Sequence, residues 1–164
     1  MPNKIEKSAS NVINVVIAGL GGQGVLKASD ILASVAFRAG LDVKKSEIHG
    51  MSQRGGSVSS DVRFGTKVFS PMVPPGAADY LVVLAQSQVE VARSMLKPGG
   101  VLIEPSAIDE AQLTNKKSLN VALLGRLAQK LDLADNLWLA AIQAALPEKL
   151  HAVNLQAFAI GKGP

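Results

Sequence analysis

The stretch "NVVIAGLGGQGV", residues 14–25, decides the fold of this chain. Residues 12–18 form an almost continuous apolar run rich in β-branched side chains, which is typical of a strand buried on both faces of a sheet. The glycines interrupt this run, and from Val25 apolar residues recur at helical spacing until Gly40, a natural helix stop. The stretch therefore predicts a strand, a tight glycine turn and a helix in direct succession.

The segments that follow extend this start into an α/β pattern. "LDVKKSE" (41–47) predicts a second strand that completes a βαβ unit with a right-handed crossover. "YLVVLA" (80–85) and "VLIE" (101–104) predict further buried strands on either side of a short helix. Apolar and polar residues alternate from Val58 to Phe64, and Gly65-Thr66 suits a turn into a short strand at 67–70. We therefore expect a β-hairpin at 57–70.

The pattern becomes helical towards the end of the chain. Residues 119–161 carry three segments with helical periodicity, whereas residues 105–119 have no clear pattern and could be loop. We expect one domain over 1–164, with a flexible tail at 1–10 and an α/β sheet core at 11–104. The predicted class is α/β, a Rossmann-like three-layer fold with a mainly parallel sheet, an inserted β-hairpin and a helical C-terminal part.

Composition narrows the classes of function. The chain has no cysteine among its 164 residues, which excludes disulfides, a thiolate nucleophile and an iron–sulfur cluster held by this chain alone. The net charge of +4 suits an anionic ligand but does not by itself indicate a nucleic acid. The first eleven residues are polar, and no apolar run reaches the length of about 18 residues that a membrane span needs. We therefore expect a cytoplasmic protein that binds neither membranes nor nucleic acids.

The glycine turn fits the pattern G-x-G-x-x-G between a strand and a helix. Such a turn lets a phosphate approach the backbone, and the free N–H groups of the first helical turn face it. The acidic residue that should end the second strand of a dinucleotide site is missing, because Lys44 and Lys45 occupy that region. A phosphorylated nucleotide such as NADP, another anion, or a turn without any ligand therefore all remain open. The candidate cofactor-binding residues are Gly21, Gly22, Gln23 and Gly24.

A second polar run, "SEIHGMSQRGGSV" (46–58), follows the second predicted strand and should emerge at the same edge of the sheet. An arginine followed by two glycines can grip an anion through bidentate donors and inward-turned N–H groups. His49 has no partners at the spacing of a catalytic triad or metal site, so we assign no catalytic residue and no metal site. Glu47 could orient Arg54 or face a subunit interface, together with His49 and Met51. The candidate cofactor-binding residues of this run are Ser52, Gln53, Arg54, Gly55 and Gly56.

At this point the sequence resembles a known family. "GLGGQGV" (19–25), "SEIHGMSQRGGSVSSDVRFG" (46–65) and "SPMVPPGAADYLV" (70–82) are similar to the gamma subunits of the 2-oxoacid:ferredoxin oxidoreductases, which act on pyruvate, ketoisovalerate or 2-oxoglutarate. Within that group they resemble most the beta subunit of the indolepyruvate enzymes. The resemblance runs from about residue 11 to residue 161 and includes "NVALLGRLA" (120–128) and "NLQAFAIG" (154–161).

The resemblance implies an accessory, non-catalytic subunit of an enzyme that oxidatively decarboxylates a 2-oxo acid of the indolepyruvate type to its acyl-CoA. Thiamine diphosphate, Mg²⁺ and iron–sulfur clusters would lie on a catalytic partner subunit, which passes electrons to ferredoxin. This chain would hold no cofactor alone, but would contact CoA in the complex and help to assemble it. The isolated chain could self-associate as a homodimer.

Two other functions are compatible with the sequence. A stand-alone NAD(P)-dependent oxidoreductase would use the glycine turn for its dinucleotide, although the chain offers no evident second domain for a substrate. A purely structural subunit without a ligand would use the glycines only to turn the chain. The sequence leaves open the identity of the 2-oxo acid, the stoichiometry of the complex and whether the loop residues contact CoA or the partner.

Overall fold

The computed structural model describes residues 11–49 and 56–164 of the chain, and within them five strands form one open sheet. The predicted flexible tail at 1–10 lies outside these residues. The strands are β1 (Val12–Leu20), β2 (Asp42–His49), β3 (Ser57–Gly65), β4 (Ala78–Val83) and β5 (Leu96–Ile103). Their order across the sheet is β2-β3-β1-β4-β5, with β1, β4 and β5 parallel and β3 antiparallel to both of its neighbours. Four strands therefore share one direction, and the expected α/β class is confirmed.

Helices cover both faces of the sheet. They are α1 (Val25–Arg38), α2 (Val89–Ala92), α3 (Leu119–Ala128), α4 (Asp135–Ala145) and α5 (His151–Lys162). Helices α1, α3, α4 and α5 share the larger hydrophobic core with one face, which we call the α1 face. The short α2 and the loop before β4 cover a smaller core on the opposite face, the α2 face. The three layers and the helical C-terminal part agree with the sequence-based prediction.

The central strand β1 explains why its sequence is apolar without interruption. Val15 and Ile17 are fully buried in the core under α1, while Val16 (1% exposed) belongs to the smaller core under α2. A strand with neighbours on both edges and helices on both faces has no side that benefits from polar residues. The burial pattern thus confirms the strand predicted from the sequence that opens the fold.

The predicted hairpin at 57–70 is wrong in its second half. Strand β3 is present, but residues 67–70 form no strand. Both edges of β3 are already paired, with β1 on one side and β2 on the other, so no edge remains for a strand after Gly65. Side chains hold this segment instead: Asp42 accepts a hydrogen bond from the N–H of Val68 (2.8 Å), and Arg63 donates to the carbonyl of Ser70 (2.7 Å). The antiparallel pairs in this fold are instead β3 with β2 and β3 with β1.

The position of β3 also changes the predicted βαβ unit. Strands β1 and β2 run in the same direction on either side of α1, as expected, but β3 lies between them.

The patternless region 105–119 contains short 3₁₀ turns at Pro105–Ala107, Glu110–Gln112 and Lys116–Ser118. In residues 11–49 and 56–164, none of the helices combines the length and apolar character needed to cross a membrane.

Candidate functional site

The glycine turn stands at the point where the connections of the sheet diverge. The chain leaves β1 towards the β2 edge, whereas it leaves the neighbouring strand β4 towards the β5 edge. In open α/β sheets, ligands bind in the crevice at the carboxyl ends of the strands where this reversal occurs. The turn at Gly21–Gly24 joins the carboxyl end of β1 to α1, so it borders that crevice.

The turn is shaped by two glycines with left-handed backbone. Gly22 has φ of 90° and Gly24 has φ of 85°, a region that costs other residues about 1–2 kcal/mol. The N–H of Gly21 donates to the carbonyl of Gly56 (2.8 Å), at the start of β3. The two polar runs that the sequence singled out therefore meet at this edge, through Gly21 and Gly56.

The side chain of Gln23 folds back into the turn. Its Oε1 accepts a hydrogen bond from the N–H of Leu20 (2.7 Å), and its Nε2 lies 3.5 Å from the carbonyl of Leu84 at the end of β4. A Cβ on Gly19 would lie 2.9 Å from that Oε1 and 3.0 Å from Cγ2 of Val25, so the packing around Gly19 leaves little room for a side chain. Gln23 thus bridges the ends of β1 and β4 and positions the turn, while its predicted contact with a cofactor stays a prediction.

Two cavities flank the glycine turn and share Gly22 and Gly24 as their common wall. The first, which we call the α1 cavity, measures about 350 Å³ and lies beside the start of α1. It is lined by Leu20, Gly21, Gly22, Gly24, Val25, Leu26, Lys27 and Val58. The second, the α3 cavity, measures about 400 Å³ and lies beside the start of α3. It is lined by Gly22, Gln23, Gly24, Leu84, Lys116, Lys117, Leu119 and Asn120.

The start of α1 presents a positive electrostatic field to the α1 cavity. The first helical hydrogen bond runs from Ala28 to the carbonyl of Gly24 (3.0 Å), so the earlier N–H groups of the helix have no intrahelical acceptor. No acidic residue occupies the first turn of α1. Unpaired N–H groups and the helix dipole together favour an anion at this end of the helix.

Lys116 and Lys117 supply positive charge to the α3 cavity. Both side chains are exposed, in a short turn that is capped where Asn115 accepts a hydrogen bond from the N–H of Lys117 (2.9 Å). Within the described part of the chain, neither lysine forms a salt bridge. Sequence reasoning missed both residues because they lie more than 90 positions after the turn, in the region without periodicity. The signal that could have found them is the capping pattern Asn-Lys-Lys-Ser just before an apolar helix.

Asn120 in α3 fastens that helix to the glycine turn. Its side chain, 8% exposed, donates from Nδ2 to the carbonyl of Gly24 (3.2 Å). A Cβ on Gly24 would lie only 2.5 Å from this nitrogen. The last glycine of the G-x-G-x-x-G pattern commonly lets the helix pack closely on its strand, but the close neighbour of Gly24 in the structure is Asn120. Gly24 therefore serves two purposes, a left-handed backbone and the approach of α3.

The remaining predicted site residues are only partly described. Met51, Ser52, Gln53, Arg54 and Gly55 lie outside the described residues, and their roles stay predictions. His49 is the last residue of β2, paired in register with Val58, and its role also stays a prediction. Glu47 lies in β2 and accepts a hydrogen bond from Lys45 (2.8 Å).

The position of β2 bears on the dinucleotide alternative. In a Rossmann site the second strand lies beside the first, so its end reaches the ribose. Here β3 occupies that place, and β2 lies two strand spacings, or about 10 Å, from β1. Lys45, a candidate for an NADP phosphate, forms salt bridges with Asp30 of α1 and with Glu47. Burial lowers the pKa of Lys45, but the hydrogen bonds to these two carboxylates outweigh it and raise the pKa. The geometry therefore does not favour NADP.

Several known proteins are similar to this chain in sequence and in fold. Residues 14–163 match the family described as pyruvate ferredoxin/flavodoxin oxidoreductase. The indolepyruvate oxidoreductase subunit IorB of Thermococcus kodakarensis is 34% identical over an alignment that covers 90% of this chain and 93% of that protein. The match extends over nearly the whole length of both proteins, so the resemblance seen in the sequence is confirmed.

Solved structures with the same fold include a gamma subunit. The gamma subunit of a keto/oxoacid ferredoxin oxidoreductase from Geobacter sulfurreducens superposes with a TM-score of 0.79 over 93% of this chain and 95% of that chain, at 24% identity. The 2-oxoglutarate:ferredoxin oxidoreductase of Magnetococcus marinus, solved with 2-oxoglutarate, coenzyme A and succinyl-CoA bound, also gives a TM-score of 0.79, at 19% identity. There the fold covers 93% of this chain but only 31% of the longer chain.

Proposed function

Because the chain belongs to the pyruvate ferredoxin/flavodoxin oxidoreductase family, as a gamma-type subunit of a 2-oxoacid:ferredoxin oxidoreductase, we propose that it holds the anionic part of CoA in that complex. In this proposal the chain is accessory: it binds and orients CoA and helps to assemble the enzyme. Partner subunits carry thiamine diphosphate with Mg²⁺ and the iron–sulfur clusters, which supply decarboxylation and electron transfer. The substrate would be an aryl-pyruvate, as the name of the Thermococcus relative suggests.

The observation that carries this proposal is the pair of cavities around the glycine turn. CoA carries a diphosphate and a 3′-phosphate, and both need concentrated positive charge. The α3 cavity offers Lys116 and Lys117, and the α1 cavity offers the unpaired N–H groups at the start of α1. Both cavities border Gly22, where a Cβ would meet nothing within 4 Å, so a phosphate can approach the backbone there. The bound coenzyme A in the Magnetococcus protein, which shares the fold, supports this choice of ligand.

The predicted loop residues would complete this site. Ser52 to Gly56 precede β3, whose start is hydrogen-bonded to the turn through Gly56, so Arg54 could add a third cation from the same edge. Glu47, His49 and Met51 are expected to orient this loop or to face the partner subunit. These roles rest on the sequence, whereas the contribution of the two lysines rests on the cavity that they line.

The test is steady-state kinetics of the assembled complex with a Lys116→Ala/Lys117→Ala variant. If the lysines contact CoA phosphates, their loss should weaken CoA binding by about 1.5–3 kcal/mol, roughly ten- to a hundredfold in KM for CoA. The KM for the 2-oxo acid should not change. Lys149→Ala is the matched control, because Lys149 is equally exposed but lines neither cavity. An unchanged KM for CoA in the double variant would refute the assignment.

A purely structural subunit is the second candidate, and the internal bonds of the turn favour it. The N–H of Gly21 and the side chain of Gln23 are both engaged within the protein, as expected of a turn that needs no ligand. This alternative predicts that Arg54→Ala weakens assembly and leaves the KM for CoA unchanged. The CoA proposal predicts a raised KM for CoA in an intact complex, so the same variant separates the two functions.

A further inference from the structure

The α2 face of the sheet is covered much less completely than the α1 face. Among the described residues, α1 and α3 pack on the α1 face with α4 and α5 outside them, whereas the α2 face carries only the four-residue α2 with a 3₁₀ turn on either side and the loop that leads into β4. That loop lies across the face because two side chains of β3 hold it: Arg63 donates to the carbonyl of Ser70, and Asp61 accepts from the N–H of Val73 (2.9 Å). Part of β2 and β3 therefore faces outward between the loop and α2, while Val16 and Ala18 of β1 stay buried at the bottom of this gap.

Exposed apolar side chains concentrate on this face. Among the described residues six large hydrophobic side chains are exposed, and four of them belong to the α2 face or to the loop that crosses it. Val91 of α2 is 65% exposed and Ile48 of β2 is 46% exposed; Phe69 (86%) and Met72 (53%) lie in the loop. The other two, Phe37 and Leu139, are in helices of the opposite layer. This concentration on one side makes the α2 face the best candidate for an interaction surface among the described residues.

A groove of about 290 Å³ runs between α2 and the exposed strands. Val16 and Ala18 of the central strand line it, as do Ile48, Val91 and Met95. Ser57, whose hydroxyl donates to the side chain of Gln88 (2.7 Å), also lines it. Because Ser57 pairs in register with Leu20, the last residue before the glycine turn, the groove ends beside the proposed CoA site. A protein bound in this groove would therefore lie next to the coenzyme.

The charges on this face favour a partner with carboxylates over a second copy of the chain. Lys44, Arg63 and Lys67 lie on or beside it, and the guanidinium of Arg63 bonds to neutral acceptors, Asn14 and Ser70. The nearby carboxylates are engaged within the protein: Asp61 is 2% exposed, Asp42 accepts from Val68, and Glu90 of α2 forms a salt bridge with Arg93. Two copies meeting through this face would bring these cations together, whereas an acidic partner would neutralise them.

The Magnetococcus oxidoreductase indicates which partner would bind this face. In the Magnetococcus oxidoreductase the same fold makes up only 31% of one chain, so the fold there is joined covalently to a much larger remainder. The Thermococcus IorB subunit, in contrast, is covered by this fold over 93% of its length, and a subunit of that size needs a non-covalent surface for the equivalent of that remainder. Within residues 11–49 and 56–164, the sparsely covered, apolar and basic α2 face has the character of such a surface.

We propose that the α2 face, centred on the groove beside Val91 and Ile48, is the docking surface for the catalytic partner subunit. The partner presents an apolar segment flanked by carboxylates. This inference rests on the proposed function, since it takes the partner from the same complex. It adds the surface that the partner occupies and places the partner beside the CoA cavities.

The test is co-expression of the tagged chain with its thiamine-bearing partner, followed by measurement of the dissociation constant of the complex. Val91→Glu places a charge in the groove and should raise that constant at least tenfold, while Val91→Leu should leave it unchanged. Phe37→Glu is the matched control, because Phe37 is 75% exposed on the opposite layer, and it should not weaken assembly. Thermal unfolding of each isolated variant checks that the fold is retained.

Three results would overturn the inference. Val91→Glu could assemble as well as the wild type, or Phe37→Glu could weaken assembly equally. Val91→Glu could instead dissociate a homodimer of the isolated chain and leave the heterocomplex intact, which would identify a second copy as the occupant. Failure of the proposed function is recognised separately, because the Lys116→Ala/Lys117→Ala complex would then show an unchanged KM for CoA, whatever the effect of Val91→Glu on assembly.

Discussion

Replacement of Gly161 by alanine should destabilise the chain because α3 and α5 touch through their backbones at this position. A Cβ on Gly161 would lie 1.7 Å from the carbonyl oxygen of Ala122 and 2.6 Å from its carbonyl carbon. Real Cβ atoms essentially never approach closer than 3.0 Å, so the two helices would have to separate by about 1.3 Å, the difference between 3.0 and 1.7 Å. The obstacle is backbone on both sides, so no side-chain rotation can relieve it.

The expected size of the effect combines two opposing contributions. Overpacking of a tight interior costs typically 1–3 kcal/mol, and a backbone obstacle puts this site near the upper end, at about 3 kcal/mol. Alanine is about 1 kcal/mol better than glycine in a helix, which offsets part of that cost. We therefore expect a net loss of about 2 kcal/mol and a Tm lower by about 4–8 °C for a chain of this size.

Urea unfolding followed by circular dichroism measures this loss directly. Ala159→Gly is the matched control, because Ala159 is an exposed residue of the same helix and reports only helix propensity. That control should lose about 1 kcal/mol. The two substitutions are opposite in kind, so propensity alone would make Gly161→Ala more stable than the wild type. A Gly161→Ala protein as stable as the wild type, or more stable, would refute the close contact of α3 with α5.

Three further predictions follow from the described geometry. Gly22→Ala should lower the free energy of unfolding by about 1–2 kcal/mol through its left-handed backbone alone. Gly24→Ala should lower it further, because the new Cβ also meets Asn120. The difference in unfolding free energy between the two variants should shrink when both also carry Asn120→Ala, and an unchanged difference would contradict the contact. Burial raises the pKa of Asp61 above its ordinary value of 3.8, and it outweighs the N–H of Val73 and the charge of Arg63, which lower the pKa. Between pH 3.8 and the raised pKa the folded state therefore binds more protons than the unfolded state. The contribution of Asp61 to the free energy of unfolding then falls as pH rises through the raised pKa. The unfolding free energy of Asp61→Asn minus that of the wild type should therefore increase as pH rises from 3.8 through the raised pKa. A difference that does not depend on pH would contradict the raised pKa. Addition of the chain to NADH or NADPH should leave nicotinamide fluorescence unchanged, because β3 separates β2 from the turn; saturable micromolar binding would favour the dinucleotide alternative.

The elements that the sequence predicted well are those with strong local signals. The apolar run of β1, the glycines and the periodicity of α1 occupy one continuous segment, and each constrains the next. The helical spacing in residues 119–161 likewise predicted α3, α4 and α5. Such signals depend on residues that are close in sequence, so they can be recognised without knowledge of the tertiary structure.

The features that escaped prediction depend on distant contacts. The hairpin at 57–70 followed from a sound turn signal, but β3 had already been paired on both edges, which only the sheet order reveals. Gly24 and Asn120 lie 96 positions apart, and the lysines of the α3 cavity are almost as remote from the turn. The loop motif at 46–65 identified the family, while the approach of α3 to the glycine turn emerged only from the structure.

We propose that this chain works as the accessory subunit of a 2-oxoacid:ferredoxin oxidoreductase complex. The most direct test is affinity purification of the tagged chain from its native cell, with analysis of whatever is retained. We expect recovery of a larger subunit that carries thiamine diphosphate and iron–sulfur clusters, in a complex whose activity depends on CoA. Recovery of the chain alone, or with proteins that lack both cofactors, would contradict it.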